Sequence, residues 1–271
     1  MEKTDKPYAL FDIDDSMYDG LSLIPLMNWQ VSNGIITPES LWESEFARVG
    51  YREDRGNFQH ENATQTLLQL YAQALKGARY SDVQSSTNEF YKQTNGFYDF
   101  VAPTVEALSK THDIAIVTGE PQFIAEAVKN RFSIETSFSS EYEVDEGFVT
   151  GAITSYLATR HEKREAIAPF VNSRRYEGSF AFGDSDNDTE ILKAAEHAVC
   201  IKPNARLNIT KKAHEIMHRD LIALGVSPYD MSVVVKPHDW TIIPADQLTS
   251  NAVLGVVQKH YDSNQQPDKS V

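Results

Sequence analysis

Two short acidic segments stand directly behind apolar runs. Asp12, Asp14 and Asp15 in "FDIDDS" (residues 11–16) follow Tyr8, Ala9, Leu10 and Phe11, and Asp184, Asp186 and Asp188 in "GDSDND" (183–188) follow "SFAF". Carboxylates crowded in this way repel and raise one another's pKa, so a single Asp-x-Asp reads as a solvated turn. Two such clusters at equivalent strand ends point instead to one cation shared between hard oxygen donors. Mg²⁺ is the usual choice when the protein supplies few carboxylates and a substrate brings phosphate oxygens. A calcium loop of the EF-hand type is excluded, because Thr189 stands where glycine is needed and Ala195 where a bidentate glutamate is needed. A second chemistry-bearing pattern is "HEIMH" at 214–218, in which His214 and His218, one helical turn apart, could bind zinc with Glu215 as base. No third ligand is evident near it, so a helix face is the simpler reading.

The elements that must position these residues alternate between strand-like and helix-like segments, which implies an α/β fold with a parallel sheet. Short apolar runs at 8–13, 113–117, 179–182 and 198–201 are the expected core strands. Pro121 suits the first position of a helix over "PQFIAEAVKNRF", and a further helix is expected over "TEILKAAEHA". Because ligands in such sheets lie beyond the carboxyl ends of the strands, the acidic and hydroxyl-bearing loops converge on one crevice. Between the first two strands the patterns are helical: 39–49, 61–77 with a stripe of Leu67, Leu70, Tyr71, Ala74 and Leu75, and 81–94 with Ser81 as its N-cap. Residues 19–100 are therefore expected to form a helical cap inserted into a core made of 1–18 and 101–271. A hairpin turning at Gly147 is expected within 142–153, followed by a helix over "EKREAIAPFV" with Ile167, Phe170 and Val171 on one side. An edge strand and a final helix are expected within 220–271.

Composition limits the partners. A net charge of −14 does not offer the basic surface that nucleic acid requires. No apolar stretch approaches the ~20 residues needed to span a bilayer, and "MEKTDKPYAL" lacks the layout of a signal peptide. The lone Cys200, inside "AVCI", reads as a buried inert thiol, so a soluble cytoplasmic protein is expected. Oligomeric state is not legible.

Taken together, these motifs resemble the haloacid dehalogenase superfamily of phosphatases, in the branch similar to phosphoserine phosphatase, across residues 7–215. The first motif matches Asp12-Ile13-Asp14-Asp15-Ser16, with Asp15 where Gly is more common; the second matches Thr118 in "IVTGE"; the third matches Lys163 beyond "EGFVTGAI"; the fourth matches Gly183, Asp184 and Asp188. The resemblance implies a Rossmann-like core with an inserted cap, and hydrolysis of a small phosphorylated metabolite through an aspartyl-phosphate on Asp12, with Asp14 as general acid and base. It also implies Mg²⁺ held by Asp12, Asp184 and the backbone carbonyl of Asp14, with Asp188 behind them. Thr118, Gly119 and Lys163 would bind the phosphoryl oxygens, with the amides opening the helix at Pro121.

Simpler readings compete at several positions. Asp15 is equally a turn residue, Asp186 a solvated loop residue and Ser16 a loop anchor. Lys163 lies in the charged run "HEKRE", with Arg164 as a rival. Phosphoryl transfer to another acceptor, the zinc peptidase and a non-catalytic phospholigand sensor are the alternative functions. Against the sensor stands Asp14, an acid that a binder would not need. For substrate choice the cap offers Arg48, Arg52 and Arg55 with Trp29, Trp42 and Tyr51. "MYDGLSLIPLMNWQ" lacks the paired glutamates associated with phosphoserine, so only a small phosphomonoester is expected.

Overall fold

A computed structural model describes residues 4–40, 60–202 and 239–264. Strand β1 (Pro7–Phe11) is buried along its whole length because its alternating side chains meet two different covers. Tyr8 and Leu10 join Ile167, Phe170 and Leu192, while Ala9 and Phe11 join Leu23, Tyr71 and Phe123. A parallel strand covered on both faces needs such an unbroken apolar run. Phe11 also stacks on Phe182 of a neighbouring strand, with ring centroids 4.2 Å apart.

The chain continues through α1 (Leu23–Ser32), α2 (His60–Ala74), α3 (Tyr80–Gln93) and α4 (Val101–Ser109). It then forms β2 (Asp113–Pro121), α5 (Gln122–Phe132), the hairpin β3 (Thr136–Asp145) and β4 (Phe148–Ser155), and α6 (Arg160–Asn172). Last come β5 (Arg175–Gly183), the short α7 (Thr189–Lys193), β6 (His197–Ile201), β7 (Asp239–Ile243) and α8 (Ser250–Asn264). The sheet order is β4-β3-β2-β1-β5-β6-β7. All neighbours run parallel except β3 and β4. The winding reverses at β1, which has β2 on one side and β5 on the other, so a crevice opens beyond its carboxyl end. Register places Phe11 beside both Ile116 and Phe182, so Asp12 emerges level with Val117 and Gly183.

The expected α/β core with inserted helices is the observed one, including the edge strand β7 and final helix α8. Cys200 is fully buried. Several boundaries differ. Pro121 keeps extended geometry (ψ 153°) as the last residue of β2 and the N-cap of α5, so the helix begins at Gln122. Helix α3 starts at Tyr80 with Arg79, not Ser81, as N-cap, because the hairpin turn reaches it and Gly147 O accepts from Tyr80 N at 2.9 Å. Helix α7 stops at Lys193, since the chain must turn back for His197 to pair with Phe180. On α2 the buried face is Leu67, Leu68, Tyr71 and Ala72, continued by Leu75 just past its end; Leu70 and Ala74 flank it. The expected helix over 39–49, the cap residues Trp42, Arg48, Tyr51, Arg52 and Arg55, and the pair His214 and His218 lie outside the described residues. Among the described residues no helix is long and apolar enough to cross a membrane.

The inserted helices leave and rejoin the core side by side. Asp19 N donates to Gly96 O at 2.8 Å and Tyr98 N to Met17 O at 3.0 Å. A Cβ on Gly96 would lie 2.1 Å from the Tyr18 ring, so only glycine fits the crossing. Lys202, just past β6, closes over it, its Nζ 2.7 Å from Asp19 Oδ1 and 2.8 Å from the Tyr98 hydroxyl.

Candidate active site

Asp12 follows β1, with its backbone N–H donating to Phe182 O at 3.1 Å. The loop after it folds tightly: Met17 and Tyr18 N–H groups both reach Ile13 O, at 2.7 and 2.8 Å. Asp15 makes this possible by adopting a left-handed backbone, φ +55°, a conformation that glycine reaches without strain. Its carboxylate accepts from Gly20 N at 3.2 Å, a loop-holding role. Ser16 is fully buried in the same loop.

Lys163 reaches Asp12 from α6. Thr159 and Glu162 form a capping box there, with Thr159 Oγ1 accepting from Glu162 N at 3.3 Å and Glu162 Oε2 accepting from Thr159 N at 2.9 Å. That box sets the helix start, and the 100° step between successive residues then divides the lysine from its neighbour. Lys163 is buried, whereas the Arg164 side chain is 56% exposed and turns toward Glu190. The Lys163 ammonium lies 2.8 Å from Asp12 Oδ1 and 2.7 Å from Asp188 Oδ1.

Asp188 is held on every side. Its Oδ2 accepts from Asp184 N (3.2 Å), Ser185 N (3.0 Å) and Ser185 Oγ (2.9 Å), while its Oδ1 takes the lysine. Gly183 leaves the room for this, since a Cβ there would come within 2.6 Å of Asp188 Cβ. The 3₁₀ turn Asp186–Asp188 also buries Asp186, against expectation. Thr189 Oγ1 donates to it at 3.4 Å and Arg160 lies 3.8 Å away, so this carboxylate works within the loop rather than in solvent.

Carboxylate oxygens of Asp12, Asp184 and Asp188 all lie within 4.8 Å of one another. An oxygen set of this kind fits a small hard cation. Asp188, with both oxygens committed to the chain's own donors, suits orienting the group rather than ligation. Asp14 turns its side chain elsewhere, accepting from Ser22 N at 3.0 Å. Thr118, Gly119 and Lys163 line the same cavity as Asp12, Asp14 and Asp184. The predicted site residues other than Asp188 therefore line one crevice, and Asp188 stands behind it on Lys163.

Electrostatics follow from burial. Desolvation and the neighbouring Asp188 push the Asp12 carboxyl up to about 8, against the opposing pull of Lys163. Burial alone would lower Lys163, but Asp12 and Asp188 together raise it above its ordinary value. Asp14 is raised mainly by burial.

One residue of this crevice is not evident from sequence reasoning. Glu120, at the end of β2, is buried and in hydrogen-bond contact with the Asp14 carboxyl. Burial and then the charge of Asp14 raise it well above the usual carboxylate range. The only signal for it is a lone acid between Gly119 and Pro121, inside the segment expected to meet phosphate.

The family model for haloacid dehalogenase-like hydrolases matches residues 9–193, which holds every residue of this crevice. The chain belongs to that family. Solved structures share the fold of this hydrolase at low identity. A protein of unknown function from Bordetella pertussis Tohama I is 19% identical, with a TM-score of 0.62 over 78% of this chain and 97% of its own. A substrate-bound phosphoserine phosphatase complex is 17% identical, with a TM-score of 0.56 over 76% of this chain and 90% of its own. A probable phosphoserine phosphatase from Vibrio cholerae is 14% identical, with a TM-score of 0.59 over 98% of this chain and 70% of its own. No curated protein matches the sequence.

Proposed function

We propose that this hydrolase is a Mg²⁺-dependent phosphatase that cleaves a small organic phosphomonoester by way of an aspartyl-phosphate on Asp12. The observation that carries the reading is the Asp12 carboxylate at the switch point of the sheet, drawn to Lys163 and within reach of Asp184. Phosphate monoesters are anionic and hydrolyse very slowly unaided, so catalysis consists of positioning a nucleophile while charge is neutralised. Bound at Asp12, Asp184 and the Asp14 carbonyl, Mg²⁺ would supply positive charge to the phosphoryl oxygens.

The chain's own groups supply the remaining steps. Asp12 attacks phosphorus, forming one P–O bond as the ester P–O bond breaks. Asp14 gives its proton to the departing alkoxide, a step that burial favours by raising its carboxyl above the ordinary range. Asp14 then takes a proton from the water that attacks the aspartyl-phosphate, which releases phosphate and restores Asp12. Lys163 holds Asp12 in line and, with Thr118 and the Gly119 amide, donates to the phosphoryl oxygens. Asp188 fixes Lys163, and the helices between residues 19 and 100 cap the crevice, with Leu23, Leu67 and Leu68 reaching its lining.

The test is phosphate release from p-nitrophenyl phosphate and a panel of phosphorylated metabolites, with and without Mg²⁺. Asp12→Asn, which keeps the shape of the side chain, is expected to lose roughly 10⁴-fold or more in kcat. Full activity in that variant would end the mechanism.

A further inference from the structure

We propose that Ser22 and Tyr91 are positioning residues for the general acid: the Tyr91 hydroxyl donates to Ser22, which directs its own hydroxyl proton at the Asp14 carboxyl. The inference rests on the phosphatase reading above and assigns the groups that aim its acid.

Asp14 stands in the tight loop after β1, yet its carboxyl is held from the inserted segment. Ser22 N–H donates to Asp14 Oδ1 at 3.0 Å, and the Ser22 hydroxyl bonds the same carboxyl. Ser22 immediately precedes α1, a place where a serine side chain ordinarily accepts from a backbone N–H of the first helical turn. It makes no such cap here. Its oxygen accepts instead from the Tyr91 hydroxyl at 2.7 Å. A hydroxyl has one proton to give. Because Tyr91 donates to Ser22, the Ser22 proton is left for Asp14, and the two hydroxyls are polarised in a single direction toward the carboxyl.

Each member of this relay is fixed. Ser22 and Tyr91 are fully buried. The Tyr91 ring, near the end of α3, packs against Phe90 and Phe97. Arg131 of α5 donates to the Tyr91 carbonyl oxygen and, at 3.0 Å, to that of Thr94, which ties down the same turn. Burial, with the charges of Glu120 and Asp14, raises the Tyr91 phenol well above its ordinary range, which keeps it a donor. Glu120 hydrogen-bonds the Asp14 carboxyl from β2, so the acid is gripped from the core and from the inserted helices together.

The consequence is kinetic. As Asp14 passes its proton to the leaving group, negative charge develops on its carboxyl, where the Ser22 N–H and O–H already point. The benefit grows with the basicity of the leaving group, since a weakly basic phenolate departs with little help from an acid. A bond that merely pinned α1 to α3 would treat all leaving groups alike.

The experiment compares kcat/KM for phenyl phosphate and p-nitrophenyl phosphate, with Mg²⁺ present, in the full-length wild type, Ser22→Ala and Tyr91→Phe, with Asp14→Asn as calibration. This constant covers the steps through departure of the phenol, and the ratio of the two esters within one preparation cancels any unfolded fraction. Relative to wild type, the phenyl to p-nitrophenyl ratio is expected to fall about 100-fold in Asp14→Asn, about 10-fold in Ser22→Ala and about 3-fold in Tyr91→Phe. Tyr91→Phe removes one oxygen and keeps the buried ring, so it reads the relay even where Ser22→Ala folds poorly. An unchanged ratio in Ser22→Ala or Tyr91→Phe overturns the proposal, whether both rates fall together or neither falls. An unchanged ratio in Asp14→Asn overturns it too, since the acid would then be another group. Failure of the phosphatase reading is separate: the wild type would hydrolyse neither ester.

Discussion

Two lysines in this molecule make nearly the same contacts in opposite surroundings. Lys163 joins Asp12 and Asp188 with side chains 4%, 9% and 1% exposed, while Lys202 joins Asp19 and the Tyr98 hydroxyl at similar distances with side chains of 28% and 63% exposure for the ion pair. Distance alone would rank them equal. Burial separates them, because the exposed pair is screened by water and pays for ordering two mobile side chains, whereas the buried one cannot lose a partner without stranding a charge. The inner lysine is thereby fixed between two carboxylates of the crevice, and the outer one fastens the point where the inserted helices leave the core.

Four experiments can break or sharpen this contrast. The largest effect is expected for Lys163→Met, which leaves Asp12 and Asp188 facing one another: a loss of about 3–5 kcal/mol by denaturant unfolding, together with loss of turnover. Mg²⁺ should recover part of the stability and none of the turnover. Unchanged stability would show that the buried site is wetter than its burial implies. Next comes Gly183→Ala, whose new methyl collides with Asp188; about 1–3 kcal/mol should be lost, with a drop in kcat larger than any change in KM.

The third experiment follows stability against pH without metal. Asp12 is held at about 8 in the folded chain against an ordinary 3.8, and Asp14 and Glu120 are raised in the same direction. A carboxyl raised by folding stabilises fully below its unfolded pKa and loses that contribution as pH climbs through the folded one. The metal-free protein should therefore weaken as pH rises from about 3.8 to about 8. Added Mg²⁺, by favouring the ionised Asp12, should raise Tm by a few degrees more at pH 8 than at pH 5. A Mg²⁺ effect independent of pH would place the ion elsewhere. The smallest effect is expected for Lys202→Met, at most about 1 kcal/mol. A larger loss would mean that the outer lysine is not the simple surface fastening its exposure indicates.

The buried half of this contrast was more legible in the sequence than the exposed half, for a physical reason. Asp12 and Thr118 sit one step, and Asp184 two steps, beyond apolar runs, and a strand covered on both faces cannot hide that pattern. Lys163 was readable only through its place after the hairpin, since "HEKRE" looks like a solvated helix start and the capping box that aims the lysine inward is a matter of geometry. Asp186 and Glu120 were not legible as buried groups: acids beside Ser and Asn, or between Gly and Pro, have the composition of a turn, and only the tertiary fold removes them from water. Lys202 carried no signal, because its partners lie 183 and 104 residues away. The missed boundaries at Arg79 and Lys193 have the same origin, since in both places contacts from a distant strand decide where the helix begins or ends.

The crossing at Asp19 and Gly96 has a consequence for how such a chain can diversify. Its entry and exit are stitched to each other by main-chain hydrogen bonds, so the span that β1 must bridge to reach the rest of the sheet is independent of how many residues lie between. Length and sequence can drift in that interval, subject to repacking against the apolar surface below, while the carboxylates at the strand tips stay where they are.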